Sequence, residues 1–333
     1  MKTLLISLCF LGVALAQESA VIIGGGPAGL SAAIWAARFN LKPLVIEGAQ
    51  DETFPSFLVE NYPGFPDGID RDHFIALLKT QAKKQGARFQ QGWVTVLEKT
   101  DDFQINLSDG SKIFSKAVII ATGRRKIRLG LEKEVEFLGK GIGICPLCEG
   151  PLYQGEIVAV TGDGEEAKRE ACLLSEWAKQ VIVFGTISGP FPENVIVYPE
   201  KEVIELVGDE LEGLTHLVIQ DKHTLMRDVF ETHGLFIAKG WTPNTAFLHG
   251  LLQQDEMGYI LTKGLSSQTS LKGAFSAGDV STKENHQLVL AVASGCRAAL
   301  DIKEYLNHEK DPSIPIVDNL LERESYSSYG SQL

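Results

Sequence analysis

Residues 20–29 read AVIIGGGPAG, and residues 30–39 continue as LSAAIWAARF. A short apolar run, a cluster of glycines and a helical pattern follow one another without a gap. The spacing is G-x-G-x-x-G over Gly24, Gly26 and Gly29. In a strand-turn-helix unit the first glycine permits the tight turn. The second lets a pyrophosphate approach the backbone, and the third lets the helix sit against the strand. The unpaired N–H groups of the helix N-terminus then face the phosphates. The glycine pattern gains weight from the next strand, PLVIE, which ends in Glu47, eighteen residues after Gly29. A carboxylate at that position accepts hydrogen bonds from ribose hydroxyls.

A second copy follows. Residues 156–160, EIVAV, read as a strand, and Gly162-Asp163-Gly164-Glu165-Glu166-Ala167 precedes a helical pattern running to Ala178. This is G-x-G-x-x-A over Gly162, Gly164 and Ala167. The next strand, residues 181–184, runs into Gly185-Thr186-Ile187-Ser188. No acid stands there for a 2′-hydroxyl, and no arginine stands there for a 2′-phosphate. Asp163 and Glu165 place negative charge in the turn. The copy therefore reads as a Rossmann unit whose nicotinamide grip is weakened or lost, which makes NADPH or NADH a doubtful cofactor. Two further strand ends fit the same architecture: residues 117–120 lead into Ala121-Thr122-Gly123, and residues 273–277 lead into Gly278-Asp279. A helix expected over residues 286–300 would turn its N-terminus toward a bound flavin.

Residues 143–150 read GICPLCEG. Zinc would need two more ligands at short spacing, and His216, His223, His233 and His249 are scattered, so no metal site is expected. A structural disulfide and a redox pair remain open on the residues alone. Cys172 and Cys296 fall in helical patterns and are expected as small buried apolar residues. The net charge is −12, with no basic run, which argues against nucleic-acid binding. At the N-terminus, Lys2 precedes an apolar run ending in Ala14-Leu15-Ala16, the parts of a cleavable secretory signal. The run is too short to span a bilayer. A cleaved signal would place the protein outside the cell, in the periplasm or in the secretory lumen, and an uncleaved one in the cytoplasm.

Collinear motifs carry a resemblance. GGGPAG (24–29), ENYPGFP (60–66), ATG (121–123), CPLC (145–148), GDGEEA (162–167), GWTPNT (240–245), AFSAGDV (274–280) and HQLVLAVASGCRAA (286–299) together resemble the low-molecular-weight thioredoxin reductase family. The resemblance implies an α/β fold of two Rossmann-like, three-layer ββα nucleotide-binding domains, the second inserted into the first. FAD would bind the split domain of residues 17–122 and 246–310. Residues 123–245 would form the NAD(P)-type domain with the CxxC, after a signal over residues 1–16 and before a polar tail over 311–333. The family also implies a homodimer, a thioredoxin-like protein or small disulfide or dithiol as partner, and no membrane span.

Carried over residue by residue, the flavin contacts are Gly24, Gly26, Pro27, Ala28, Gly29, Glu47, Asn61 and Val94. They continue with Ala121, Thr122, Gly123, Gly278, Asp279, Gln287 and Leu288. Cys145 and Cys148 become the redox pair, and Glu149 stands where the family places a catalytic aspartic acid. The chain departs from the family where the phosphate clamp would lie, at Gly185-Thr186-Ile187. Relatives without a clamp use ferredoxin, or pass electrons from a dithiol to oxygen. The reading is thus an FAD-dependent thiol-disulfide oxidoreductase, with a dithiol oxidase or a non-catalytic FAD-binding protein as the alternatives. Glu149 favours the reductase, since the oxidases place histidine there.

Overall fold

The computed structural model describes residues 17–48, 57–209, 211–281 and 286–314. The expected signal over residues 1–16, and the tail beyond residue 314, lie outside the described residues.

The first sheet has seven strands. Arg88–Gln91, Leu44–Glu47, Gln17–Ile23 and Lys112–Ile120 run parallel, in that order, and Ala274–Ser276 pairs parallel with Lys112–Ile120. Phe103–Leu107 and Val94–Lys99 add an antiparallel edge. The central strands are apolar on both faces because both faces are covered: Val21, Ile22, Val118, Ile119 and Ile120 are fully buried. The helix Pro27–Arg38 packs against the long helix Leu288–Lys310, and Gly295 permits the contact, since a Cβ there would lie 2.0 Å from the Ala28 carbonyl oxygen. The first strand starts at Gln17, paired with Phe114, earlier than the apolar pattern suggests. The long helix starts at Leu288 and ends at Lys310, later at both ends than the expected 286–300.

The second sheet has five parallel strands: Ile142–Gly143, Gly234–Ile237, Ile157–Thr161, Gln180–Phe184 and Val195–Tyr198. The helix Gly164–Leu174 covers one face, ending four residues before the expected Ala178. Three antiparallel strands, Lys201–Asp209, Gly213–Asp221 and Arg227–Glu231, form a separate layer. The two regions are joined where Arg124–Lys126 pairs antiparallel with Trp241–Pro243. Thr122 and Asn244 lock this double crossing, with Thr122 Oγ1 donating to Asn244 O (2.7 Å) and Asn244 Nδ2 donating to Thr122 O (2.9 Å). Among the described residues no helix is long and apolar enough to cross a membrane.

Candidate active site

The first glycine turn is closed by sterics and open where a ligand would enter. Gly24 has φ +117°, and a Cβ there would lie 2.2 Å from the Ala121 carbonyl oxygen. Gly24 N donates to Ile46 O at 2.8 Å, tying the turn to the next strand. A Cβ on Gly29 would meet Gly24 O at 1.9 Å, so only glycine lets this helix sit so close. Gly26 differs: its φ is −80°, and a Cβ would meet nothing within 4 Å. The backbone does not require glycine there, and the free space is the cradle a pyrophosphate needs.

The cradle opens into a cavity of about 1460 Å³. Gly24, Gly26, Pro27, Ala28, Glu47, Asn61, Val94, Ala121, Thr122, Gly123, Gly278, Asp279, Gln287 and Leu288 all line it, as do Cys145, Cys148 and Glu149. Gly29 does not, because it lies buried under the turn. Glu47 stands at its strand end, where Oε1 accepts from Gln91 Nε2 (2.6 Å) and from the Lys79 ammonium. Asp279 forms an ion pair with Arg124 Nε (3.4 Å) and lies 3.6 Å from His286 Nδ1. Arg124 also lies over the Trp241 ring, 3.8 Å from its centroid. The Arg124 Nε and both ring nitrogens of His286 are buried without a hydrogen-bond partner. Buried polar atoms rarely go unsatisfied, and here they flank an open dinucleotide cradle. Gln287 is the N-cap of the long helix, its side chain making no bond to the helix backbone, and the first turn borders the cavity. These residues fit FAD.

The CPLC turn enters the same cavity. Cys145 and Cys148 form a disulfide, with Cα atoms 5.2 Å apart. Cys145 is the N-cap of the helix Pro146–Glu149, and its Sγ accepts from Cys148 N at 3.2 Å. A short helix follows the first cysteine directly. Cys148 is exposed to the cavity, where Asn61 Nδ2 (3.8 Å) and Gln287 Nε2 (3.9 Å) approach its sulfur. Asn61 Nδ2 also donates to Gln287 Oε1 at 3.1 Å. Three motifs far apart in sequence thus meet at one sulfur. Glu149 does not point its bonds at sulfur: its Oε1 accepts from Ile144 N (2.7 Å) and Cys145 N (2.8 Å). Burial pushes the Glu149 carboxyl above the ordinary carboxylate range, and the two N–H groups and Lys126 pull the other way.

The second glycine turn lies outside this cavity lining. Gly162 has φ +151°, and a Cβ there would lie 2.1 Å from Ala238 O. Gly164 has φ +71° and nothing within 4 Å of an added Cβ. Ala167 is fully buried against the sheet. Asp163 is turned inward rather than toward a ligand: its Oδ1 accepts from Thr186 N at 2.7 Å. The sequence reading missed a cation at this loop. Lys168 Nζ lies 2.7 Å from where a Cβ of Gly189 would stand. It also missed Arg124 and Lys126, although Arg124-Arg125-Lys126 directly follows Ala121-Thr122-Gly123 and was the available signal. Cys172 and Cys296, expected as buried, are partly exposed free thiols.

A family model described as pyridine nucleotide-disulphide oxidoreductase matches residues 18–295. NADPH-dependent thioredoxin reductase 3 of Arabidopsis thaliana is 36% identical over 312 residues, covering 87% of this chain. The chain spans 58% of that relative's length. Thioredoxin reductase of Dictyostelium discoideum is 34% identical over 313 residues, covering 87% of this chain and 98% of its own. The solved thioredoxin reductase from Giardia duodenalis matches with a TM-score of 0.81 at 31% identity, covering 87% of this chain and 99% of its own. These likenesses give no support to the expectation that the nicotinamide grip is lost. The chain belongs to the pyridine nucleotide-disulphide oxidoreductase family, in its low-molecular-weight thioredoxin reductase branch, and is an FAD-dependent oxidoreductase of disulfides.

Proposed function

We propose that the protein reduces the disulfide of a thioredoxin-like protein, with a reduced nicotinamide dinucleotide as electron donor. FAD would be held by Gly24, Gly26 and the helix N-terminus behind them, by Glu47, and by Asp279 with Arg124 and His286. Bound there, it supplies two-electron reduction of the adjoining disulfide. The observation that carries the reading is the meeting of Cys148 Sγ with Asn61 and Gln287 inside the cavity that holds the Gly26 cradle.

The chain's own groups divide the remaining work. Asn61 and Gln287 orient Cys148. Cys145, at a helix N-terminus with the Cys148 N–H on its sulfur, is the sulfur better stabilised as a thiolate. That thiolate attacks the partner's disulfide. Glu149, whose carboxyl burial pushes above the ordinary carboxylate range, serves as the acid of the reaction. Gly162, Gly164 and Ala167 form the dinucleotide turn for the donor. No guanidinium stands on the 185–188 loop, so discrimination for a 2′-phosphate rests on Lys168. We also assign a second copy of this chain as its oligomeric partner, on the resemblance, to be read by sedimentation.

The test uses the purified holoprotein. Cys145→Ser and Cys148→Ser should each keep FAD and lose reduction of a protein disulfide to background. Glu149→Gln should slow it about 10²-fold. A single cysteine variant that works at the wild-type rate would refute the assignment.

A further inference from the structure

Lys126 lies behind the CPLC turn and has no part in the route described so far. It is the last residue of the strand Arg124–Lys126 and is partly buried. Its Nζ donates to the carbonyl oxygen of Ile144 at 3.0 Å. That carbonyl belongs to the peptide group between Ile144 and Cys145. The N–H of the same peptide group donates to Glu149 Oε1 at 2.8 Å. An ammonium and a carboxyl therefore hold opposite ends of the one peptide that carries Cys145.

We propose that Lys126 is a positioning residue for the dithiol reaction: it fixes the Ile144–Cys145 peptide and supplies the countercharge that lets Glu149 release its proton. The proposal rests on the reading of Glu149 as the acid. When the pair is reduced, two electrons from the donor break the Cys145–Cys148 bond. One sulfur leaves as a thiolate, and the other takes a proton given up by Glu149. A carboxylate then remains in a desolvated place, which is costly without a paired charge.

The surroundings of both groups are defined. Lys126 faces Glu149 from the helix Pro146–Glu149, Glu170 and Glu166 from the helix Gly164–Leu174, and Arg124 on its own strand. The Trp241 ring lies 5.5 Å from its Nζ. Glu149 faces Lys126, the two backbone N–H groups and Tyr153. Glu170 is 4% exposed, and its Oε2 has no hydrogen-bond partner. Burial lowers the Lys126 pKa, and Glu170 heads the carboxylates that oppose this. Glu170 opposes the burial that lowers Lys126, and Lys126 in turn opposes the burial that raises Glu149.

Protonated Glu149 is the working form, so the rate falls as pH rises through its pKa. Removing the ammonium raises that pKa and moves the fall to higher pH. The experiment mixes FAD-loaded protein with dithiothreitol across a pH series, follows opening of the disulfide by quenched alkylation, and divides each rate by the thiolate fraction of dithiothreitol at that pH. K126M should shift the fall upward by about one pH unit and slow the plateau about tenfold, because Glu149 becomes a weaker acid. K126R should leave the fall at its wild-type position. E170Q, nearly isosteric, should shift the fall in the same direction by less, and should add nothing in the K126M background. In E149Q the fall should vanish, and K126M should then move nothing. An unmoved fall in both K126M and E170Q would overturn the proposal, as would a K126M shift that survives in E149Q. A wild-type disulfide that resists dithiothreitol at every pH would overturn the redox-pair reading and this proposal with it.

Discussion

The two glycine turns share a frame and differ in what the frame is for. In both, the first glycine is forced: a Cβ would lie 2.2 Å from Ala121 O at Gly24 and 2.1 Å from Ala238 O at Gly162. In both, the third small residue is buried where helix meets strand. The middle glycines part company. Gly26 has an ordinary φ of −80°, so a side chain there meets no backbone penalty and no neighbour. Gly164 has φ +71°, which disfavours a side chain whether or not a ligand binds. A glycine that only a ligand requires is the sharper functional signal, and by that measure the first turn is the better marked of the two. The ends of the second strands reinforce the contrast. Glu47 borders the cavity in the first unit, whereas Gly185 and Thr186 follow the strand in the second, and Asp163 ties the loop down through Thr186 N.

The contrast breaks first at the middle glycines. Gly26→Val should leave the apoprotein's urea midpoint unchanged and abolish FAD retention, because the valine fills the cradle. Gly164→Ala should do the reverse: FAD stays, and the apoprotein loses about 1–3 kcal/mol from left-handed strain. Equal destabilisation by both substitutions would erase the distinction. Next in size is a gain of function. Ser188→Arg, at an exposed position of the 185–188 loop, places a guanidinium there and should raise preference for NADPH over NADH about tenfold or more, one charge-assisted hydrogen bond contributing about 1.5–3 kcal/mol. Lys168→Ala should weaken NADPH by about one decade and leave NADH unchanged, read from flavin reduction rates against donor concentration. The smallest effect belongs to Asp163→Asn. The amide oxygen can still accept from Thr186 N, so the loop holds while the charge is lost. Donor affinity should rise a few-fold, and the helix should lose about 0.3–1 kcal/mol through its N-terminal dipole. A fall in donor affinity would mean that loop geometry, rather than charge, dominates at this turn.

Much of this was legible in the residues. The Gly24–Gly29 spacing, Glu47 at the strand end and the collinear motifs placed the first turn, its acid and the redox pair, because close backbone approach admits few residue types. The sequence could not show which neighbours occupy a side chain. Asp163 read as a charge facing a phosphate, and it faces Thr186 N instead. Glu149 read as an acid aimed at the flavin–thiolate system, and its oxygen is bonded to Ile144 N and Cys145 N. Lys126 and Arg124 sit on a two-stranded crossing whose partner, Trp241–Pro243, is more than a hundred residues away. No local periodicity announces such a pairing. Helix ends were also misplaced: the long helix runs to Lys310 because Ile302 and Leu306 continue its buried face.

One frame is proposed to bind FAD at its first copy and a reduced nicotinamide at its second, with the Cys145–Cys148 disulfide receiving the electrons. Anaerobic stopped-flow mixing of the holoprotein with NADPH and with NADH tests it most directly, with flavin absorbance followed in the wild type and in Cys148→Ser. Both donors should bleach the flavin, with a preference for NADPH below about tenfold, if Lys168, which lies beside Gly189, is the cation that meets the 2′-phosphate. Cys148→Ser should bleach as fast and then fail to pass electrons to a protein disulfide. A wild-type flavin that stays oxidised with either donor at saturating concentration would rule out a nicotinamide site at the second turn.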